Sequence, residues 1–169
     1  YSTKAAIMET TYTVYSSGLK LNKRIMLTED IGPAIIRPMT FTLKPEAWNI
    51  ENLSYLTHNG GKYIEKFTLN EKSVIHNELH TGLISAHQGL GATEGKLYFE
   101  DDHKTLQLTS NMQINAMLPQ IVFQRLDHKT LFLRVQYSAK EIDETDQSAK
   151  WLKDTTLDFE LGLSLSETS

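Results

Sequence analysis

No cysteine occurs among the 169 residues, so disulfides, thiolate nucleophiles and thiolate metal ligands are excluded together. The same absence fits a cytoplasmic chain and a disulfide-free periplasmic one, and it leaves the compartment open. Nine glycines and four prolines are too few for low-complexity or collagen-like structure. No apolar run approaches the ~18 to 20 residues that a membrane-spanning helix requires, so no membrane partner is expected. The basic residues form no block. With 17 Lys and Arg against 21 Asp and Glu, the net charge is −4, and a nucleic-acid partner held through its phosphates is not expected. The short clusters Lys20–Arg24 and Glu100–Asp102 read as solvated strand faces or turns. The sequence opens at Tyr1 with neither Met nor a signal-like apolar run, from which we expect a domain of a longer chain or a processed one.

What the chain does have is period-two alternation. Leu19, Leu21, Ile25 and Leu27 share one face, with Lys20, Asn22 and Arg24 on the other. Leu157, Phe159, Leu161, Leu163 and Leu165 alternate with polar or small residues; so do Met112, Ile114, Ala116 and Leu118, and Leu131, Leu133, Val135 and Tyr137. Successive strand side chains point to opposite faces, so such runs predict strands with one buried side. The apolar content, 40%, suffices for one sizeable core over residues 1–169. Asn59-Gly60-Gly61 predicts a hairpin between Leu53–Thr57 and Tyr63–Leu69, and Asp101–Lys104 predicts another. Residues 102–108 and 127–133 are identical but for one position, a reused turn-into-strand solution and not the three units a solenoid needs. Short helices are expected at Pro45–Trp48 and within Asp143–Lys153. Roughly eleven or twelve strands then predict an all-β, antiparallel two-sheet sandwich with few short helices.

Catalytic frames are missing. Ser16, Ser17, Ser85 and Ser110 lack a GxSxG context. Gly89, Gly91 and Gly95 do not make a GxGxxG, and no helix follows to receive a phosphate, so no cofactor is expected. His76 and His80 would meet on a helix. On a strand they lie about 13 Å apart, too far for one ion, so no metal is expected. His103 and His128 read as surface turn residues. His58, just before the Asn59-Gly60-Gly61 turn, is a turn residue or a ligand contact. His87 and Gln88 lie in a stretch of glycines and small residues up to Glu94 and Gly95, either a tightly packed loop or a contact to a ligand or domain. The carboxylates of 141–146 read as a charged, solvated loop. Trp48, Trp151, Tyr55 and Tyr63 belong to a core or stack on a sugar ring.

The succession Trp48, Tyr55, His58-Asn59-Gly60-Gly61, Phe67, Gly89–Leu97, Phe132–Arg134 and Ser138–Thr145 resembles the β-sandwich that follows the catalytic barrel in α-glycosidases of glycoside hydrolase families 57 and 38, a galactose-mutarotase-like supersandwich. The resemblance covers about residues 45–145; the chain is shorter than a full supersandwich. In those families the nucleophile and the acid sit in the barrel, so the resemblance implies a non-catalytic accessory module. Such a module supports a catalytic domain of the same chain and contacts carbohydrate, here through His87, Gln88, Glu94, Trp48, Tyr63 and His58. Two alternatives stay open. One is a free-standing β-sandwich that binds a small ligand or a protein. The other is a small enzyme with His87 as base and Glu94 as acid.

Overall fold

The computed structural model describes residues 5–32, 34–69, 75–76, 83–84, 87–90, 93–115, 117–125, 130–139 and 150–168, with 75–76, 83–84 and 87–90 as backbone alone. Thirteen strands run through them: β1 (Ala6–Tyr15), β2 (Gly18–Leu27), β3 (Met39–Thr42), β4 (Ser54–Thr57), β5 (Glu65–Thr68), β6 (Ile75–His76), β7 (Leu83–Ile84), β8 (His87–Leu90), β9 (Lys96–Glu100), β10 (Lys104–Ser110), β11 (Met117–Arg125), β12 (Leu131–Ala139) and β13 (Thr156–Glu167). Every pairing is antiparallel. One sheet has seven strands in the order β1-β2-β13-β10-β9-β4-β5, a second has four in the order β3-β12-β11-β8, and β6 pairs with β7 alone. The fold is the expected all-β, two-sheet sandwich.

Alternation sets the core. Register aligns Leu161 with Leu21 and Ser110, Leu108 with Leu97 and Leu163, and Phe99 with Tyr55. One face of the large sheet is therefore almost wholly apolar. Against it the small sheet presents Met117, Ile121, Phe123, Leu131, Leu133, Val135 and Tyr137, all buried. Hydrophobic burial of this kind stabilises by ~25 cal/mol per Å² of apolar surface. The two near-identical segments enter different sheets and each delivers a core leucine, Leu108 and Leu133.

The sheets are unequal, and the large one overhangs. Leu157, Phe159 and Leu161 are buried, yet Leu165, on the same face, is 59% exposed, against the expectation that the whole run lies inside. Beside it the β1–β2 ribbon leaves Tyr12 64% and Val14 80% exposed. The alternation is right; the covering sheet ends first. Gly18 is required where β2 meets β13, because a Cβ there would stand 2.0 Å from the Leu163 carbonyl oxygen.

Three local expectations give way to competing hydrogen bonds or to packing. The strand expected from Met112 to Leu118 begins only at Met117. The Asn111 side chain accepts the Gln113 N–H at 3.0 Å and the Asn115 amide donates to the Asp158 carbonyl at 2.8 Å, so side-chain bonds hold 111–115 in turns. Met112 and Ile114 are left exposed. The hairpin expected around Asn59-Gly60-Gly61 has the shorter strands β4 and β5, with Tyr63 and Ile64 exposed in the connection. The helix expected within Asp143–Lys153 lies mostly outside the described residues, and its end is not helical. Trp151 forms an antiparallel bridge with Ile31, is buried, and donates from Nε1 to the Ala34 carbonyl at 2.9 Å. Pro45–Ala47 is a single 3-10 turn, the one helical element among the described residues.

Candidate functional site

The six residues singled out by sequence occupy three places. His58, Tyr63 and Glu94 gather at one end of β4. There the His58 carbonyl accepts the Thr93 N–H at 2.9 Å and the Thr93 hydroxyl at 3.2 Å, and the Gly60 N–H donates to Thr93 Oγ1 at 3.1 Å. Thr93 thus ties the Asn59-Gly60-Gly61 turn to the start of β9. The His58 ring is half-buried, with Nδ1 at 3.4 Å from the Gly61 carbonyl oxygen. Glu94 is exposed, and the Tyr63 ring, 74% exposed, carries Lys62 Nζ at 5.6 Å from its centroid.

Trp48 lies at the opposite end of β4, which spans four residues, about 13 Å of extended chain. It is half-buried, and the Lys104 ammonium covers its ring at 4.8 Å while reaching the Ala47 carbonyl. Beside it Asp101 organises the turn between β9 and β10. Its carboxylate accepts the N–H groups of Asn49 at 2.8 Å, His103 at 2.9 Å and Lys104 at 2.8 Å. Asp101 is 4% exposed, not the solvated acid the sequence suggested. Burial pushes its carboxyl up, but those three N–H groups and the Lys104 charge outweigh burial and hold it below the usual carboxylate range.

His87 and Gln88 are in neither place. Instead of a loop, His87–Leu90 is strand β8, the edge of the small sheet, with His87 opposite Phe123 and Gln88 opposite Val122. Their side chains lie outside the described residues, as do His80, His128 and residues 140–149, and of His76 only the backbone is described. Close packing does hold at Gly95. Its φ is +70°, and a Cβ there would stand 2.9 Å from the Ser110 carbonyl oxygen. Tyr55, stacked on Phe67 at 4.9 Å between centroids, is a core residue, as is Trp151. His103 is a surface residue, 3.7 Å from Asp102. Among the described residues no three His, Asp or Glu side chains are grouped to hold a metal ion.

Among the grooves that flank the β1–β2 ribbon, two are of note. The first, about 470 Å³, is mixed, with Glu9, Asn22, Lys23, Arg24 and Asp158 beside Ile114 and Phe159. Arg24 meets Asp158 through Nε at 2.7 Å and Nη2 at 3.3 Å, so these two of the groove's charges are paired. The second, about 340 Å³, opens where the overhang begins, between β1–β2–β13 and the edge strand β3. Leu19, Leu21, Leu161 and Leu163 line it from the large sheet and Met39 and Phe41 from the small one, with Tyr12 at the outer side and Thr10, Thr40 and Lys23 as polar members. Sequence reading missed this groove, because it depends on where the covering sheet stops. Its one legible signal was Lys23, the break in the series Leu19, Leu21, Ile25, Leu27.

No family model matches the chain, and no curated protein does. Among solved structures it is similar to the Slr1438 protein from Synechocystis sp. PCC 6803, with a TM-score of 0.53 at 9% identity. The match covers 96% of this chain and 55% of that one, so the chain spans about half the length of its structural neighbour. A likeness at this identity is one of fold.

Proposed function

We propose that this chain is a non-catalytic β-sandwich module that binds a small apolar ligand in the groove between β3 and the β1–β2–β13 overhang. The observation that carries the reading is the groove itself: apolar walls from both sheets around about 340 Å³, within the range of small-ligand pockets, roughly 300 to 1,000 Å³. A few polar groups in an otherwise apolar concavity are the usual pattern of such sites. The reading is tested by titrating the chain with N-phenyl-1-naphthylamine, a neutral apolar fluorophore. Saturable binding near one per chain is expected, weakened at least tenfold in Leu163→Gln and unchanged in Tyr63→Ala. Absence of saturable binding, or binding indifferent to Leu163, would remove the groove as the site.

The accessory-module reading for a carbohydrate-active enzyme is kept as a second proposal on one observation. The Tyr63 ring is 74% exposed, in the connection that follows His58, an open aromatic platform of the kind that takes the apolar face of a sugar. Titration of a glycan panel against wild type and Tyr63→Ala decides it: binding lost with the ring supports it, and no glycan bound by the wild type excludes it.

A further inference from the structure

Three cations stand on β2, and only two have partners. On the outer face Lys20 meets Glu160 at 3.7 Å and Arg24 meets Asp158 at 2.7 Å, both carboxylates being supplied by the neighbouring β13. Lys23 lies on the other face. Its register partners are Phe159 on β13 and Thr10 on β1, and every inward position of β13 from Leu157 to Leu165 is Leu or Phe. Lys23 also borders the first groove, where Glu9 and Asp158 stand on the opposite face of the sheet, but neither carboxylate pairs with it. The side chain is half-buried, lines the apolar groove, and makes no hydrogen bond or ion pair with any described residue.

A half-buried ammonium without a counter-ion, set among leucines, is costly for a structure to keep unless something else meets it. We infer that the occupant of the groove is an amphiphile with a single negative charge, of the aliphatic carboxylate class, its head on Lys23 and its chain along Leu21, Leu161, Leu163 and Phe41. This rests on the binding reading above and adds the ligand's chemistry. Charge complementarity sets the sign: one cation, no acid, and the hydroxyls of Thr10 and Thr40 as further hydrogen-bonding groups of the same groove. One cation also sets the charge number, since a dianionic phosphate head would bring a second charge that nothing in the groove balances. The groove's volume, at the lower end for small-ligand sites, suits one alkyl chain and not a fused ring system. Each buried methylene strengthens binding roughly fourfold, so affinity should climb with chain length until the chain outgrows the groove.

The test uses the whole chain and calorimetric titration with decanoate, decyl phosphate and decyltrimethylammonium below their critical micelle concentrations and decanol below its solubility limit. Decanoate should bind about tenfold tighter than decanol, the effect of one charge-assisted hydrogen bond, and tighter than the phosphate or the ammonium. Lys23→Met should erase the preference for decanoate over decanol without weakening decanol binding or lowering the thermal midpoint. Lys23→Arg should retain the preference and guards against a fold effect of the Met variant. Equal binding of decanoate and decanol, or a preference that survives Lys23→Met, overturns the anion assignment and leaves the apolar groove standing. Tighter binding of decyl phosphate overturns the carboxylate class. If none of the four ligands binds, the inference falls together with the groove reading.

Discussion

Arg125 offers the sharpest test of how the two sheets are held together. It ends β11 on the core face, with its side chain only 3% exposed. Its Nη1 donates to the Ile50 carbonyl at 2.7 Å and to the Leu69 carbonyl at 3.3 Å, and Nη2 meets Glu51 at 3.1 Å. The guanidinium thus joins the small sheet to the segments on either side of the β4–β5 hairpin. Arg125→Met keeps most of the apolar stem and removes the donors. Leu69 is wholly buried and Ile50 nearly so, and each buried carbonyl left without its donor costs about 1 to 3 kcal/mol. Glu51, at 50% exposure, returns to water, and its loss adds about 1 kcal/mol at most. The sum is about 2 to 7 kcal/mol, a large part of the ~5 to 15 kcal/mol that a domain commonly has. Urea unfolding should show that loss as a lower midpoint at unchanged slope, while Glu51→Gln should cost about 1 kcal/mol or less. A Glu51→Gln loss equal to that of Arg125→Met would mean that the ion pair, and not the carbonyls, carries the stabilisation.

The remaining predictions concern the overhang and one carboxylate. Leu161→Ala should cost about 2 to 5 kcal/mol, because the residue is 1% exposed, while Leu165→Ala, at 59% exposure, should cost about 0.5 kcal/mol or less. Equal losses in thermal or urea unfolding would place both under cover. For Asp101 the folded chain holds the carboxyl below its unfolded value, so the unfolded chain binds the extra proton. Its contribution is present above about pH 4 and is lost as pH falls through the folded pKa. Asp101→Asn should therefore cost about 1 to 3 kcal/mol at pH 7 and flatten the stability profile below about pH 4. An unchanged acid limb in a pH series of urea midpoints would mean that the N–H groups do not hold the charge.

Strand identity was legible because it is written at period two, and the apolar residues of 157–161 and 131–137 could be placed on faces without knowing their partners. Limits of cover were not legible. Leu161 and Leu165 are chemically identical in the sequence, and what separates them is the reach of a sheet whose strands are distant in sequence. Asn111 and Asp101 show a second kind of opacity. Their side chains capture backbone groups, which turns an apparent strand into 111–115 and an apparent surface acid into a buried organiser. Arg125 shows a third, since its partners are carbonyls, which carry no residue signature. The candidate binding residues split along the same line. Tyr63, expected to open a strand and to serve a core or a sugar ring, and Glu94, expected in a packed loop or at a ligand, are both exposed, while the groove beside Lys23 arises only when β3 is set against β13.

Overhang also divides the β1–β2 hairpin by depth of anchoring. Near Ala6 and Leu27 the ribbon rests on the buried core, and near Val14 and Leu19 it is held chiefly by its ladders to neighbouring strands. Amide hydrogen exchange should therefore run as a gradient along one continuous hairpin, slow at Leu27 and fast toward Gly18, with tip opening independent of global unfolding. A molecule lodged against Leu19 and Leu163 would slow exchange only in the distal part, so occupancy can be read residue by residue without knowing what the molecule is.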